Sequence, residues 1–522
     1  MIGNMVRHNL AAIRYRNFDF VIGVYPNDEP TITAVRQLSG AFPNVHVAVC
    51  PHPGPTSKAD CLNTIYARME QLERESGVRF ETVVLHDAED IIHPDSLDVI
   101  NRAAAEYHMI QVPVLPLKAQ WREITHAIYC DEFAEFQTID MRARQFSGAF
   151  LPSNGVGTGF ARDVLVRLAE MQDGEVFDPG ILTEDYEIGM RVHQLGYSQH
   201  FVPLRYTEKS WMATREFFPR KMKAAVRQRT RWVTGIGLQC WQRAGWAGKP
   251  GTKYWFWRDR KGLITHPLSL LANIVFVAGL LYSGVSLAAH RTWHLAATNP
   301  AVLRLCSATL GLQILRLGLR MACVARIYGL AFAAAVPLRV FHTNLVNSCA
   351  ALRALQQYAR ARRTGSRLAW QKTEHVYPSR AALSFERREL LAVLMDCGAL
   401  TEDTADGMRR SGSIYPEPER FLLEGGYVSE DLLCLALSLQ SGVQAMRLDI
   451  RCVEPRVVRS LPAYIQRRFG LVPFDMRNGT LTLAGWRVPS PEIFEQLKSL
   501  TDLELDFRLV PNSDYQALCR ML

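Results

Sequence analysis

Several common devices are missing from this 522-residue sequence. Its 11 cysteines form no C-x-x-C pair and no regular framework. That argues against a zinc site or a disulfide scaffold and for reduced thiols in a cytosolic compartment. Residues 1–16 carry charge throughout and have no apolar core, so no signal peptide is expected there. The Gly-rich stretch at 153–159 is followed by no Gly-Lys-Ser/Thr, which argues against a mononucleotide phosphate loop. There is no long basic tract either. The 60 basic against 51 acidic residues leave a formal charge of +9, concentrated around 205–261 and 352–380. Those zones flank an apolar region, which favours a membrane surface over nucleic acid as partner. The length calls for two or three domains.

Among what is present, Gln228-Arg229-Thr230-Arg231-Trp232 stands out. At helical spacing Gln228, Arg231 and Trp232 fall on one face. A guanidinium binds phosphate in a planar fork, and an indole offers a flat surface on which a sugar ring can stack. The bland alternative is a surface helix with a half-buried Trp.

A helix is expected over 1–16. Apolar, β-branched runs at 19–25, 45–50 and 82–86 read as strands, with helices over 31–39 and 61–75 between them. The alternation predicts an α/β domain with a mostly parallel sheet and ligands at the strands' C-terminal ends. Such a domain normally opens with a strand, so the chain is expected to lack its first strand. The third strand ends in Asp87-Ala88-Glu89-Asp90. Clustered carboxylates raise one another's pKa, and a divalent cation removes that cost; an acidic turn before Pro94 is the alternative. The Gly-rich loop suits a tightly turned or flexible substrate loop. Thr183-Glu184-Asp185 opens a helix that ends at Gly196. Plain capping by Thr183 explains it, and an Asp so held can also act as a general base.

Taken together, these motifs resemble a processive family 2 glycosyltransferase of the cellulose-synthase-like kind, with a Rossmann-like GT-A fold. The resemblance runs over residues 1–262 and implies roles. Asp28 resembles the acidic position near base or ribose. Lys58, in Ser57-Lys58-Ala59-Asp60-Cys61-Leu62-Asn63, would lie near the diphosphate. Asp87 and either Glu89 or Asp90 would hold Mg²⁺ or Mn²⁺, and the Asp-Ala-Glu-Asp spelling departs from the family's Asp-x-Asp. Thr183-Glu184-Asp185 resembles the acceptor-side motif whose Asp is the base. Gln228, Arg231 and Trp232 match unaltered. The implied chemistry is a single inverting displacement on a nucleotide-sugar donor by a glycan acceptor.

The stretch 267–289 is long and free of charge, as a bilayer span requires. The segment 301–324 is apolar but carries Arg304, Arg316 and Arg320. If both soluble domains are cytosolic, the number of spans must be even. The expectation is therefore a membrane region at 263–352, with spans near 266–289 and 301–323 and an interfacial segment at 328–352. A basic linker, 353–386, follows. Residues 387–522 open with a weak internal repeat that aligns Leu394, Gly398 and Thr401 with Leu422, Gly426 and Ser429. This part resembles the MshEN domain of type II secretion ATPases, which binds cyclic di-GMP. Its Arg-Leu-Gly opening is absent from both copies. Arg388, Gly398, Arg420, Gly426 and Gln440 are the candidate regulatory residues, and a docking domain that binds no nucleotide is the alternative. The domain order is similar to that of bacterial inner-membrane transferases whose glycan serves as a phage receptor. It implies an outer-membrane export or phage receptor protein as partner. The rival reading is an inactive scaffold that docks such a partner.

Overall fold

The computed structural model describes residues 2–207, 210–289, 300–366, 368, 389–411, 417–441, 443–477, 479–498, 501 and 503–522; Arg388 lies outside them. The chain forms two compact units, one of residues 15–376 and one of 1–14 with 377–522.

In the larger unit the β-branched runs do form strands. Phe20–Val24 pairs in parallel with Val45–Val49. A four-stranded sheet follows, in the order Thr82–Leu85, Thr158–Ala161, Met109–Gln111, Gln199–Phe201. The expectation of a mostly parallel sheet needs correcting here. Thr158–Ala161 runs antiparallel to both its neighbours, and only Met109–Gln111 and Gln199–Phe201 are parallel. Strand–helix alternation fixes where the strands lie but not the direction in which the long connection from 117 to 157 brings the chain back. Gly155 and Gly157, at φ of 77° and 61°, lead into this strand, and Gly157 already bonds to Leu85 and Val112 on either side. Helices Lys58–Ser76, Arg162–Glu170 and Glu184–Gln194 contribute Met69, Leu165, Leu168, Ile188 and Val192 to one core around Met109 and Phe160.

Among the described residues two helices are long and apolar enough to cross a membrane: Gly262–Ala288, with mean hydropathy 2.0, and Pro300–Tyr328, at 1.4. Their most apolar stretches are not buried in the protein. The latter helix changes character near its end, where Cys323, Val324 and Tyr328 pack on Ala127, Cys130 and Ala134. The region expected to be interfacial holds Leu330–Ala334 and Val336–Thr364. The longer of these packs on Gly262–Ala288, Met222–Trp232 and Ile124–Glu135.

In the smaller unit the helix expected over 1–16 runs from Ile2 to Ala12. It packs against Glu430–Ser441. The internal repeat is real in three dimensions. Helices Leu390–Asp396 and Pro418–Glu424 each end at a left-handed glycine, Gly398 at φ 69° and Gly426 at 64°. Ala399 N–H donates to Leu394 O at 2.9 Å, and Tyr427 N–H donates to Leu422 O at 3.0 Å. Thr401 and Ser429 hydroxyls then accept from Thr404 and Leu432 N–H, each at 3.3 Å, capping the second helix of each copy. A three-stranded sheet of Val472–Arg477, Thr480–Gly485 and Glu504–Leu509 completes the unit.

Candidate active site

One cavity of about 580 Å³ gathers most of the residues that the sequence singled out. Lys58, Asp87, Glu89, Thr183, Glu184, Asp185, Gln228, Arg231 and Trp232 all line it. Asp28 and Asp90 do not.

Lys58 opens the helix Lys58–Ser76, whose cap is Ser57 accepting from Asp60 N–H at 3.2 Å. Its ammonium lies 2.5 Å from Asp87 Oδ1, 4.0 Å from Glu184 Oε1 and 3.4 Å from Gly155 O. Burial alone would lower its pKa; the Asp87, Glu184 and Asp185 carboxylates outweigh that, and the net shift is upward. One cation therefore ties the acidic strand end, the Gly-rich loop and the acidic helix start together.

The acidic motif divides. Asp87 and Glu89 face the cavity, and Glu89 is buried. Asp90 turns inward: its Oδ2 accepts from Asp87 N–H at 2.9 Å and pairs with His86 Nδ1 at 2.9 Å. Asp90 closes the turn that presents the other two. Burial, then the Asp87 and Glu89 charges, push its carboxyl up to about 6 against the opposing pull of His86.

Thr183 occupies the position before the helix Glu184–Gln194, but its side chain makes no capping bond. The expected cap is absent because Thr183 is buried against Gly235, where any Cβ would collide with its side chain. Asp185 Oδ1 accepts from Tyr186 N–H at 2.7 Å, which fixes the carboxylate. A Cβ at Gly155 would stand 3.0 Å from Asp185 Oδ2, so glycine is what lets the loop come this close. Burial first, then the Asp185 charge, push Glu184 up to about 7; Asp185 is also raised, chiefly by burial.

Helix Met222–Trp232 does present Gln228, Arg231 and Trp232 to the same cavity, and Gln228 is 4% exposed. Several buried polar atoms of lining residues, Gln228 Oε1 and Asn154 Nδ2 among them, have no hydrogen-bond partner among the described residues. Such atoms mark a wall built for a polar ligand. Asp28 instead caps the helix Glu29–Ala41, accepting from Thr31 N–H at 3.3 Å and from its hydroxyl at 2.8 Å.

Sequence reasoning missed Glu216, Tyr25, Glu132 and Phe136. Glu216 is buried on the wall, and burial followed by Asp90, Glu89 and Asp87 holds its carboxyl well above the usual range. It sits twelve positions before Gln228 in a stretch with no recognisable pattern. Two π-helical segments, Phe136–Asp140 and Val233–Gln239, each put one residue, Phe136 and Ile236, into the wall. Widened turns of this kind are frequent at functional sites.

Comparison with known proteins agrees with this architecture. The family Glycosyltransferase like family 2 matches residues 1–235, and the MshEN domain matches 441–522. Bacteriophage adsorption protein B of Escherichia coli (strain K12) is 33% identical over 508 residues, covering 92% of this chain and 67% of the relative. The chain belongs to the bacteriophage adsorption protein B family. Bacteriophage N4 adsorption protein B of Escherichia coli O157:H7 matches it to the same extent. Like the family 2 domain it contains, this member is a glycosyltransferase. Two solved structures overlap it weakly. Mannosyltransferase PcManGT from Pyrobaculum calidifontis, in complex with GDP-Man and Mn2+, is 16% identical with a TM-score of 0.42, covering 68% of this chain and 84% of that one. MshE with cdg is 20% identical with a TM-score of 0.21, covering 26% and 100%. The MshEN match begins at 441, so Gly398, Arg420, Gly426 and Gln440 precede it.

Proposed function

We propose that the chain is a membrane-bound inverting glycosyltransferase. It moves a sugar from a nucleotide-sugar donor onto a growing surface or extracellular glycan, under cyclic di-GMP control. The observation that carries this reading is the convergence of Lys58, Asp87, Asp185 and the Gln228–Arg231–Trp232 face on one cavity.

Each residue has a task that its place allows. Lys58 and Arg231 face the donor's diphosphate and balance its charge as it leaves. Trp232 gives the acceptor sugar a stacking surface. Asp185, fixed by its own helix start, takes the proton of the attacking hydroxyl. Attack opposite the leaving group inverts the anomeric carbon. Among the described residues no three His, Cys, Asp or Glu side chains stand together as a complete metal cage. Asp87 and Glu89 alone suit a hard cation that completes its shell with phosphate oxygens and water. Mg²⁺ or Mn²⁺ held there would neutralise charge on the diphosphate.

The reading puts the protein in the bacterial inner membrane, with residues 15–262 and the smaller unit in the cytosol; the two helices apolar and long enough to cross a bilayer support it. The regulatory reading rests on the MshEN match and the helix repeat before it. Arg420 is exposed there, paired with Glu424 at 2.6 Å, and Gly398 and Gly426 serve as helix ends. The glycan product implies an outer-membrane export or phage receptor partner.

The test is product analysis from membranes given a panel of radiolabelled UDP- and GDP-sugars. We expect one donor to be consumed, its sugar incorporated with inverted configuration, EDTA to stop the reaction and cyclic di-GMP to accelerate it. Retained configuration would refute the single displacement. Indifference to cyclic di-GMP would reduce the smaller unit to docking, and no turnover of any donor would favour the scaffold.

A further inference from the structure

Behind the Gln228–Trp232 face stands the helix Ile124–Glu135, and its three acids each meet an arginine from a different helix. Asp131 binds Arg339 of Val336–Thr364 in a two-pronged pair, at 2.7 Å on each side. Glu135 meets Arg320 of Pro300–Tyr328 at 2.5 Å. Glu132 meets Arg229 of Met222–Trp232, Oε2 to Nη1, at 2.8 Å. Only Glu132 of the three reaches the cavity wall.

Arg229 lies within the Gln228–Trp232 motif but points away from the other three residues, and it is buried. Its guanidinium covers the Tyr129 ring at 4.4 Å. Tyr129 in turn meets Trp232 edge-on, 6.1 Å between centroids at 82°, and stacks on Phe218 at 4.8 Å. Asn347 braces the pair from the far side. It accepts from Arg229 Nη1 at 2.5 Å and donates to Glu132 Oε1 at 3.3 Å. The indole plane of Trp232 therefore rests on a ring whose own position depends on a buried charge pair.

We propose that Glu132, Arg229 and Tyr129 form a positioning unit that sets the plane of Trp232, and with it the angle at which an acceptor sugar meets Asp185. This rests on the transfer reading above. None of the three is a catalytic residue; each acts through Trp232. Without the Glu132 charge, Arg229 is left buried and unpaired and is driven off the Tyr129 face. Trp232 then loses its edge contact. The donor site at Lys58 and Asp87 is untouched, so bound donor still reacts with water while the acceptor is misplaced.

The experiment uses the full chain in proteoliposomes with the radiolabelled nucleotide sugar that the wild type consumes. Incorporation into glycan and release of free sugar are counted together. For Glu132→Gln we expect transfer to fall about 10- to 100-fold and the ratio of hydrolysis to transfer to rise by about tenfold. Tyr129→Leu, which leaves the charge pair intact, gives the same rise, and Glu132→Asp restores most of the wild-type ratio. Arg339→Met breaks an equally buried pair that does not line the cavity; it lowers both readings in step and leaves the ratio unchanged. A ratio unmoved in both Glu132→Gln and Tyr129→Leu overturns the positioning role while leaving the transfer reading in place. A wild type that consumes no donor overturns both.

Discussion

Asp185 and Glu184 sit side by side at one helix start, and their charges are coupled. Burial raises both, and the upward shift brings Glu184 to about 7. The sign of the pH effect follows. A base must be unprotonated, so with Asp185 raised by burial the rate climbs as pH rises through its titration and is lost at a higher pH than an ordinary aspartate would set. A pH–rate profile checks this; an acid limb at or below the ordinary aspartate value of about 4 contradicts it. Lys58 offers a further check, because it lies within reach of Asp87, Glu184 and Gly155 together. Lys58→Met is expected to weaken UDP or GDP binding by about 30-fold, near 2 kcal/mol, in a calorimetric titration. At this scale the sequence was informative where a motif has few spellings. Gln228, Arg231, Trp232 and Asp185 all arrive in the cavity. It was uninformative where geometry decides. The choice between Glu89 and Asp90 depended on which carboxylate closes its own turn, and Asp28 spends both oxygens on a helix cap.

Helix and strand positions were legible because β-branched runs and turn residues act locally. Strand direction was not. Thr158–Ala161 is antiparallel to its neighbours because of the path of the long segment before it, which no periodicity reports. The helix Glu184–Gln194 is locked to this region by close packing. A Cβ at Gly189 would stand 2.5 Å from Leu151 O and 2.8 Å from Ser153 N, both backbone atoms that cannot swing aside. Gly189→Ala should therefore cost about 1–3 kcal/mol and displace the loop that carries Asn154. A lower Tm together with weaker donor binding is the expected result; an unchanged Tm contradicts the contact. The helix–glycine–helix repeat of the smaller unit was visible in sequence because its capping residues recur along with its apolar ones. The π-helical turns were not visible, since neither Phe136–Asp140 nor Val233–Gln239, even with Gly235 and Gly237, carries a pattern that tells a widened turn from an ordinary one.

Taken as a whole, the chain combines a cavity lined by the candidate transfer residues, two helices fit for a bilayer and a unit that carries the MshEN match. Apolar length announced both helices. In sequence, Arg320 counts against Pro300–Tyr328 as a span; in the structure its charge is matched by Glu135. Alkaline phosphatase fused between the two helices should be active, and fused after Thr364 it should be inactive; equal activity at both points contradicts the two-span arrangement. The account stands or falls on the cavity as the transfer centre. The direct test compares nucleotide-sugar turnover by wild type and Asp185→Asn in membranes, with UDP or GDP affinity measured on the same preparations. The account predicts that turnover falls about 100- to 10,000-fold while affinity stays within about threefold. Turnover that survives the substitution would contradict it.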